Sequence, residues 1–423
     1  MGRFYIILVV GFAIIGGSMK INHGRLSREA QNITSDKYVE ASARNATRSM
    51  VNLCLYQLSQ DFDWRDGYAN VQIQDIANTN CQKFQGLNTN CAGALIQDNS
   101  DNSDIPLGQI KITANGAFGD TAMTSVVMLR KSAYSEFAYF TEMEPPIYFI
   151  TGDSIHGPIH TNGKFHIWGD PVFYGLVSSK GNGWVGVGSP EFKGGTNFNC
   201  ERIDLPVDMS IIDGKAQNGG TYFEGDIEIE FISDGTFDYT ATHLEKIGPN
   251  WVTIIDSTGN VTISSTNGVI GTGNGGDIRV KGTLDGQATM LADGDIWIDD
   301  DVLYAQNPLT DPTSDDILGL ISQHDIFVTN NAANQNNCTI HATLMALDRS
   351  FMVEDYNQGS PRGTLEIVGG IVQDKRGSVG TMGWGSGIIS GYQKNYIYDY
   401  RYMSSAPPFY PIMTKNSLVS WYE

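Results

Sequence analysis

An uncharged apolar run, Phe4 to Met19, opens the chain between Arg3 and Lys20. As a helix it rises about 24 Å, slightly less than a ~30 Å hydrocarbon core. From Asp36 to Asp61 the pattern becomes amphipathic: Val39, Ala43, Ala46, Met50 and Leu53 are spaced for one helix face. Glu40 and Arg44 stand at i,i+4 in the favourable order. No proline precedes Pro106, and Gly24 is the strongest breaker between the two halves. The pattern predicts one helix from about residue 4 to 60, roughly 85 Å long, loosened near Gly24.

Beyond it the period changes. "NVQIQDI" and "GQIKITANG" read as strands, and "TSVVMLRKSAY" as a strand leading to a turn, giving a small mixed α/β domain over 61–135. From Tyr134 onward short apolar pieces alternate with Gly-Asp, Gly-Pro and Asn-Gly turns. In the C-terminal half Ile278/Val280, Ile296/Ile298, Ile326/Val328 and Ile367 are expected to point inward. Strands this short suit a β-solenoid or a sandwich, and a solenoid-like stack of the right-handed β-helix type is preferred for 136–423. The Gly-Tyr-rich tail "WGSGIISGYQKNYIYDYRYM" is expected to cover the last coil. The fold class is therefore mainly β, with a long N-terminal α-helix as a stalk over 1–60.

Charge narrows the function. A formal net charge of −20 disfavours nucleic acid as a partner, because such binding rests on Lys and Arg neutralising phosphates. The 48 glycines against 14 prolines fit many tight turns between strands. None of the five cysteines forms a CxxC pair, which argues against a thiolate zinc site. Cys81 and Cys91 flank a short polar loop and are the best disulfide candidates in an exported protein; Cys200 with Cys338 is a second option. "QDNSDNSD" brings Asp98, Asp101 and Asp104 close together as a weak Ca²⁺ candidate; otherwise no cofactor is expected. An EF-hand is excluded, since Ser103 replaces the required Gly and the distal Glu is missing.

Catalytic chemistry finds little support. His156 and His160 are separated by Gly157-Pro158, so no helix presents them to one metal, and in a strand they stand about 13 Å apart. His166 follows. The acids Asp295, Asp299, Asp300 and Asp301 in "DIWIDDDV" are the densest candidates for glycosidic hydrolysis, with Lys375 and Arg376 as possible basic recruits for a lyase. Adjacent strand residues point to opposite sides, however, and the run reads better as a charged turn. Trp168, Trp184, Trp297 and Trp384 are candidate sugar platforms or core residues. "GTGNGGDIRV" precedes a strand rather than a helix and is no dinucleotide fingerprint. The chain is not expected to be an enzyme.

Three readings of the first run compete: a cleaved signal peptide ending near Gly16-Gly17-Ser18, a retained anchor, or an assembly surface. An apolar half-helix continued by an amphipathic half resembles the N-terminus of type IV pilins and of the pseudopilins of type II secretion. The segments "GDSIHGPIHTNGKFHIWGDPVFYG", "GLISQHDIFV", "GGIVQDKRGSVGT" and "GYQKNYIYDYRY" resemble a bacterial family of uncharacterised pilin-like surface proteins. One departure is clear. The pilin pattern carries Glu at the fifth mature position, whereas Tyr5 or Ile7 stands there and the first acid is Glu29. The resemblance implies insertion in the inner membrane, then self-association outside the cell through Phe4, Ile6, Ile7, Leu8, Val9, Val10, Gly11, Phe12, Ile14 and Ile15. It implies an exposed β-rich head able to meet a glycan or other surface ligand. A membrane-anchored adhesive monomer and a secreted polysaccharide-active enzyme remain alternatives.

Overall fold

The computed structural model describes residues 2–60, 64–67, 91–98, 101–102, 104–105, 109–119, 121–206, 208–383 and 387–423. Contacts divide the chain into two compact units, 1–132 with 414–423, and 133–413. The three-way division expected from the sequence is thus replaced by two units, with the helix and the strands after it in one of them.

In the first unit a single helix, Gly2–Gln60, runs without interruption through Gly24. Its C-terminal half buries Ala43, Ala46, Met50, Val51, Cys54 and Leu58. Met50, Val51, Cys54 and Leu58 pack on Ala92, Ala94, Ile96, Ile110, Ile112, Ala114, Val127 and Leu129. These come from Cys91–Gln97, Gln109–Phe118 and Thr121–Ala133, which pair antiparallel in sequence order. The final strand, Ile412–Tyr422, borders the third of them. Small side chains on both surfaces let the helix approach the sheet. Residues 61–63 and 68–90, including the "NVQIQDI" strand, lie outside the described residues.

The second unit is built from parallel ladders. One runs Thr196–Phe198, Val177–Ser179, Ile159–Thr161, Tyr139–Met143, Pro361–Lys375, Cys338–Ala346, Ile317–Ser322, Gln287–Ala292, Val269–Gly273, Thr221–Glu224. Its order is not the chain order. The chain enters in the middle at Tyr139 and steps outward to Phe198. It then crosses to the far end at Thr221 and steps back until Ile371 pairs with Tyr139. A sandwich is built from antiparallel strands, and these ladders are parallel.

Alternation along each strand makes two cores. Ile278, Val280, Ile296, Ile298, Ile326, Val328 and Ile367 are buried in the inner one, as their spacing predicts. The opposite face carries Phe140, Val372, Met345, Ile321, Leu291 and Val269. That stripe is covered by the crossing segment, through Ile203, Leu205, Met209, Ile212 and Ala216, and by Ala406 and Tyr410. A long antiparallel hairpin, Thr236–Ile247 with Asn250–Thr262, extends from strand Asp226–Ile232.

The tail does not cover an end. Strand Gly387–Ile397 pairs with Pro361–Lys375 on one side and meets Ile155 through Tyr396 on the other. It fills the seam where the two runs of chain join. Its Tyr392, and Tyr398 just past its end, are apolar enough over most of their surface to be buried in the inner core.

Candidate functional site: an exposed apolar helix

From Ile6 to Ala41 no residue of the helix is buried. Ile7, Phe12 and Ile14 are 72%, 68% and 66% exposed, and Ile6, Leu8, Val9, Val10 and Ile15 are exposed as well. A side chain built at Gly11, Gly16 or Gly17 would meet nothing within 4 Å. The side chain of Phe4 lies outside the described residues. The stretch is long and apolar enough to cross a membrane by length and composition, and none of it is buried by the protein itself. Lys20, Arg25 and Arg28 follow it before the first acid, Glu29. The apolar segment therefore ends at a cationic collar.

The amphipathic half is anchored by charge as well as packing. Glu40 accepts from Arg44 at 2.8 Å. Arg48 donates to both oxygens of Glu423, at 2.5 and 2.8 Å, and these donors lower the pKa of that carboxyl.

The other candidates are occupied by structural work. Asp98 pairs with Arg65 at 2.7 Å, Asp101 accepts the Asp98 N–H, and Asp104 is exposed. Among the described residues no three His, Cys, Asp or Glu side chains are grouped to hold a metal ion. Cys81 lies outside the described residues, as does the Cys91 side chain. Cys338 carries a buried free thiol, so it is not bonded to Cys200; burial pushes that thiol up. His160 is buried, stacks on Phe140 and bonds Ser178 and Asn162, while His156 stacks on Tyr174.

Asp299, Asp300 and Asp301 sit where strand Ile296–Tyr304 passes from one ladder to the next, a register jump between Ile298 and Val302. Asp299 takes two hydrogen bonds from Arg279, each 2.7 Å, and one from Thr329. Asp301 accepts the Thr339 N–H and Asp295 the Asp325 N–H. Asp299 and Asp300 line a cleft of about 400 Å³ with Glu228, Glu230, Arg279 and Lys281. Arg376 is sequestered against Glu144. Trp297 stacks on Phe327, Trp184 packs on the inner core, Trp168 is half-exposed, and Trp384 lies outside the described residues.

Sequence reasoning singles out Arg376 but not its partners: Glu144, Asp153 and Lys394 are drawn together with it at the seam. No local signal announces the group, because its members come from opposite ends of the second unit.

A family model described as a domain of unknown function (DUF4900) matches residues 109–199. No curated protein matches. Among solved structures, the competence-associated pilin ComZ from Thermus thermophilus is similar at 11% identity. The match covers 91% of this chain and 97% of that one, with a TM-score of 0.35.

Proposed function

We propose that this chain is a structural subunit of an extracellular bacterial filament, type IV pilus-like or pseudopilus-like, assembled through the apolar half of its helix. The observation that carries this reading is the uncovered apolar stretch from Ile6 to Ile15. So much contiguous apolar surface needs a lipid or protein environment. Gly11, Gly16 and Gly17 leave room for a neighbouring helix to approach closely. In the proposed cycle the stretch first lies in the inner membrane, with Lys20, Arg25 and Arg28 beside the headgroups. It then packs against its copies in the filament. The amphipathic half holds the helix to its sheet, so the exposed half projects as a stalk. The ladders of the second unit are read as coils of a right-handed β-solenoid displayed at the cell surface. No catalytic residue and no cofactor enters this reading.

The test is assembly in the producing cell. Ile7→Asp and Gly11→Arg place a charge in the helix contact and leave the head untouched. Both variants are expected to disappear from the sheared, detergent-free, high-molecular-weight fraction while the head remains protease-resistant. Wild-type filament yield from either variant would overturn the proposal. Recovery of the wild-type chain only with membranes would favour an anchored monomer instead.

A further inference from the structure

The seam between the two runs of chain holds four ionisable side chains that are at least four-fifths buried. Glu144 is fully buried and already satisfied: Tyr139 and Thr141 hydroxyls donate to it at 2.8 and 2.7 Å, and Arg376 lies 3.4 Å away. Arg376 also donates to the Ile147 carbonyl and lies 3.9 Å from the centre of the Phe149 ring. That leaves a second pair. Lys394 Nζ is 3.8 Å from Asp153 Oδ2, with side-chain exposures of 20% and 10%. Phe149 also lies beside Lys394, its ring centre 5.9 Å from Nζ.

The second pair is a poor ion pair. Its separation is too long for a hydrogen bond, and among the described residues no acceptor takes a hydrogen bond from Lys394. Asp153 Oδ2 is held in place by the Ile150 N–H at 3.0 Å. Two charges are thus kept from solvent at a spacing that returns little of their desolvation cost. Burial pushes the Lys394 ammonium down, toward the neutral amine that is a nucleophile.

We propose that Lys394 and Asp153 condense to an intramolecular amide crosslink. The ammonium gives one proton to the Asp153 carboxylate, producing an amine facing a carboxylic acid. The Nζ lone pair forms a bond to Asp153 Cγ, and the Cγ–O bond to the hydroxyl breaks. Nitrogen gives up a second proton to the departing hydroxyl, which leaves as water. An ammonium and a carboxylate become one amide and one water, with no oxidant or activating reagent. Two largely buried charges are replaced by a neutral group. The Lys stem is flexible enough to close the remaining gap. The bond joins Ser154–Ile155 to Gly387–Ile397, strands that pair only through Ile155 and Tyr396. It therefore locks the weakest ladder contact of the seam. The proposal does not depend on filament assembly.

Mass spectrometry of the full-length, denatured and reduced chain tests it. Because N-terminal processing also changes the intact mass, a tryptic map decides. The expected result is a branched peptide joining residues 132–164 to 377–401, uncleaved after Lys394 and lighter by one water than the sum of those two segments. Lys394→Arg and Asp153→Ala should each yield only linear peptides. Wild-type protein yielding only linear peptides, with Lys394 open to an amine reagent after denaturation, would overturn the crosslink.

Discussion

Arg376 faces Glu144 across 232 residues of chain, and the two side chains are 4% and 0% exposed. The pair ties the loop after Tyr139–Met143 to the residue just past Pro361–Lys375, strands that share register from Ile371–Tyr139 to Lys375–Met143. Removing one member strands the other charge in the interior. Arg376→Met should cost about 3–5 kcal/mol, and Arg376→Met combined with Glu144→Gln should cost less than the sum of the two single changes. Urea unfolding of the full chain reads both. A loss below ~1 kcal/mol for Arg376→Met would show that the seam does not depend on the pair.

Gly116 makes a different kind of joint. A Cβ there would stand 2.6 Å from both the backbone nitrogen and the hydroxyl of Thr47. Thr47 is fixed, since its hydroxyl bonds the Ala43 and Met123 carbonyls. The helix therefore touches strand Gln109–Phe118 at its one glycine. Gly116→Ala should destabilise the first unit by ~1–3 kcal/mol, and Gly116→Val by more. Helical circular dichroism during thermal unfolding follows it, and an unchanged transition would show that the helix can shift outward at no cost.

Much of this architecture was legible locally. The period-2 pairs Ile278/Val280 and Ile326/Val328 marked inward faces correctly because burial on one side of a strand leaves that imprint. Of the predicted helix face, Ala43, Ala46 and Met50 are buried and Leu53 packs half-buried on the same core, while Val39 is half-buried; Cys54 is the residue fully buried beyond Met50, because 3.6 residues per turn does not hold a 4-3-4-3 spacing indefinitely. The path of the chain was not legible. Periodicity says which face a strand buries, not which strand lies beside it, so the pairing of Ile371 with Tyr139 left no trace. The tail was misplaced for the same reason: its aromatic residues declare burial, but nothing local distinguishes an end from a seam.

That distinction has a measurable consequence at Tyr392. Its side chain is fully buried in the inner core, and its hydroxyl donates to the Asn334 carbonyl. A residue in a covering tail would be lost with fraying alone. An interior strand residue should be felt by the whole unit. Tyr392→Ala should cost about 3–5 kcal/mol, and Tyr392→Phe, which keeps the packing and removes one hydrogen bond, about 1 kcal/mol. If Tyr392→Ala leaves the urea midpoint unchanged, the strand is peripheral after all.

His341 should make the second unit sensitive to acid. It is 3% exposed, and its Nδ1 accepts the Tyr304 N–H at 3.0 Å. That nitrogen must therefore be unprotonated, and the ring can be charged only by breaking the bond. Burial lowers its pKa below the ordinary 6.5, against the smaller opposing pull of Glu366 and Asp399, while Arg401 lowers it further. The sign follows directly. The unfolded chain takes up a proton near pH 6.5 while the folded one does not, so stability is complete above that pH. It is lost as pH falls from there toward the folded-state pKa. The loss per pH unit in that window is at most ~1.4 kcal/mol for one group. His341→Asn places an amide oxygen where Nδ1 stood and cannot titrate. Urea unfolding of both proteins between pH 7.5 and 5 should show a steeper loss for the wild type. Parallel pH profiles would mean that His341 is protonated in the folded state and that the Tyr304 N–H finds another acceptor.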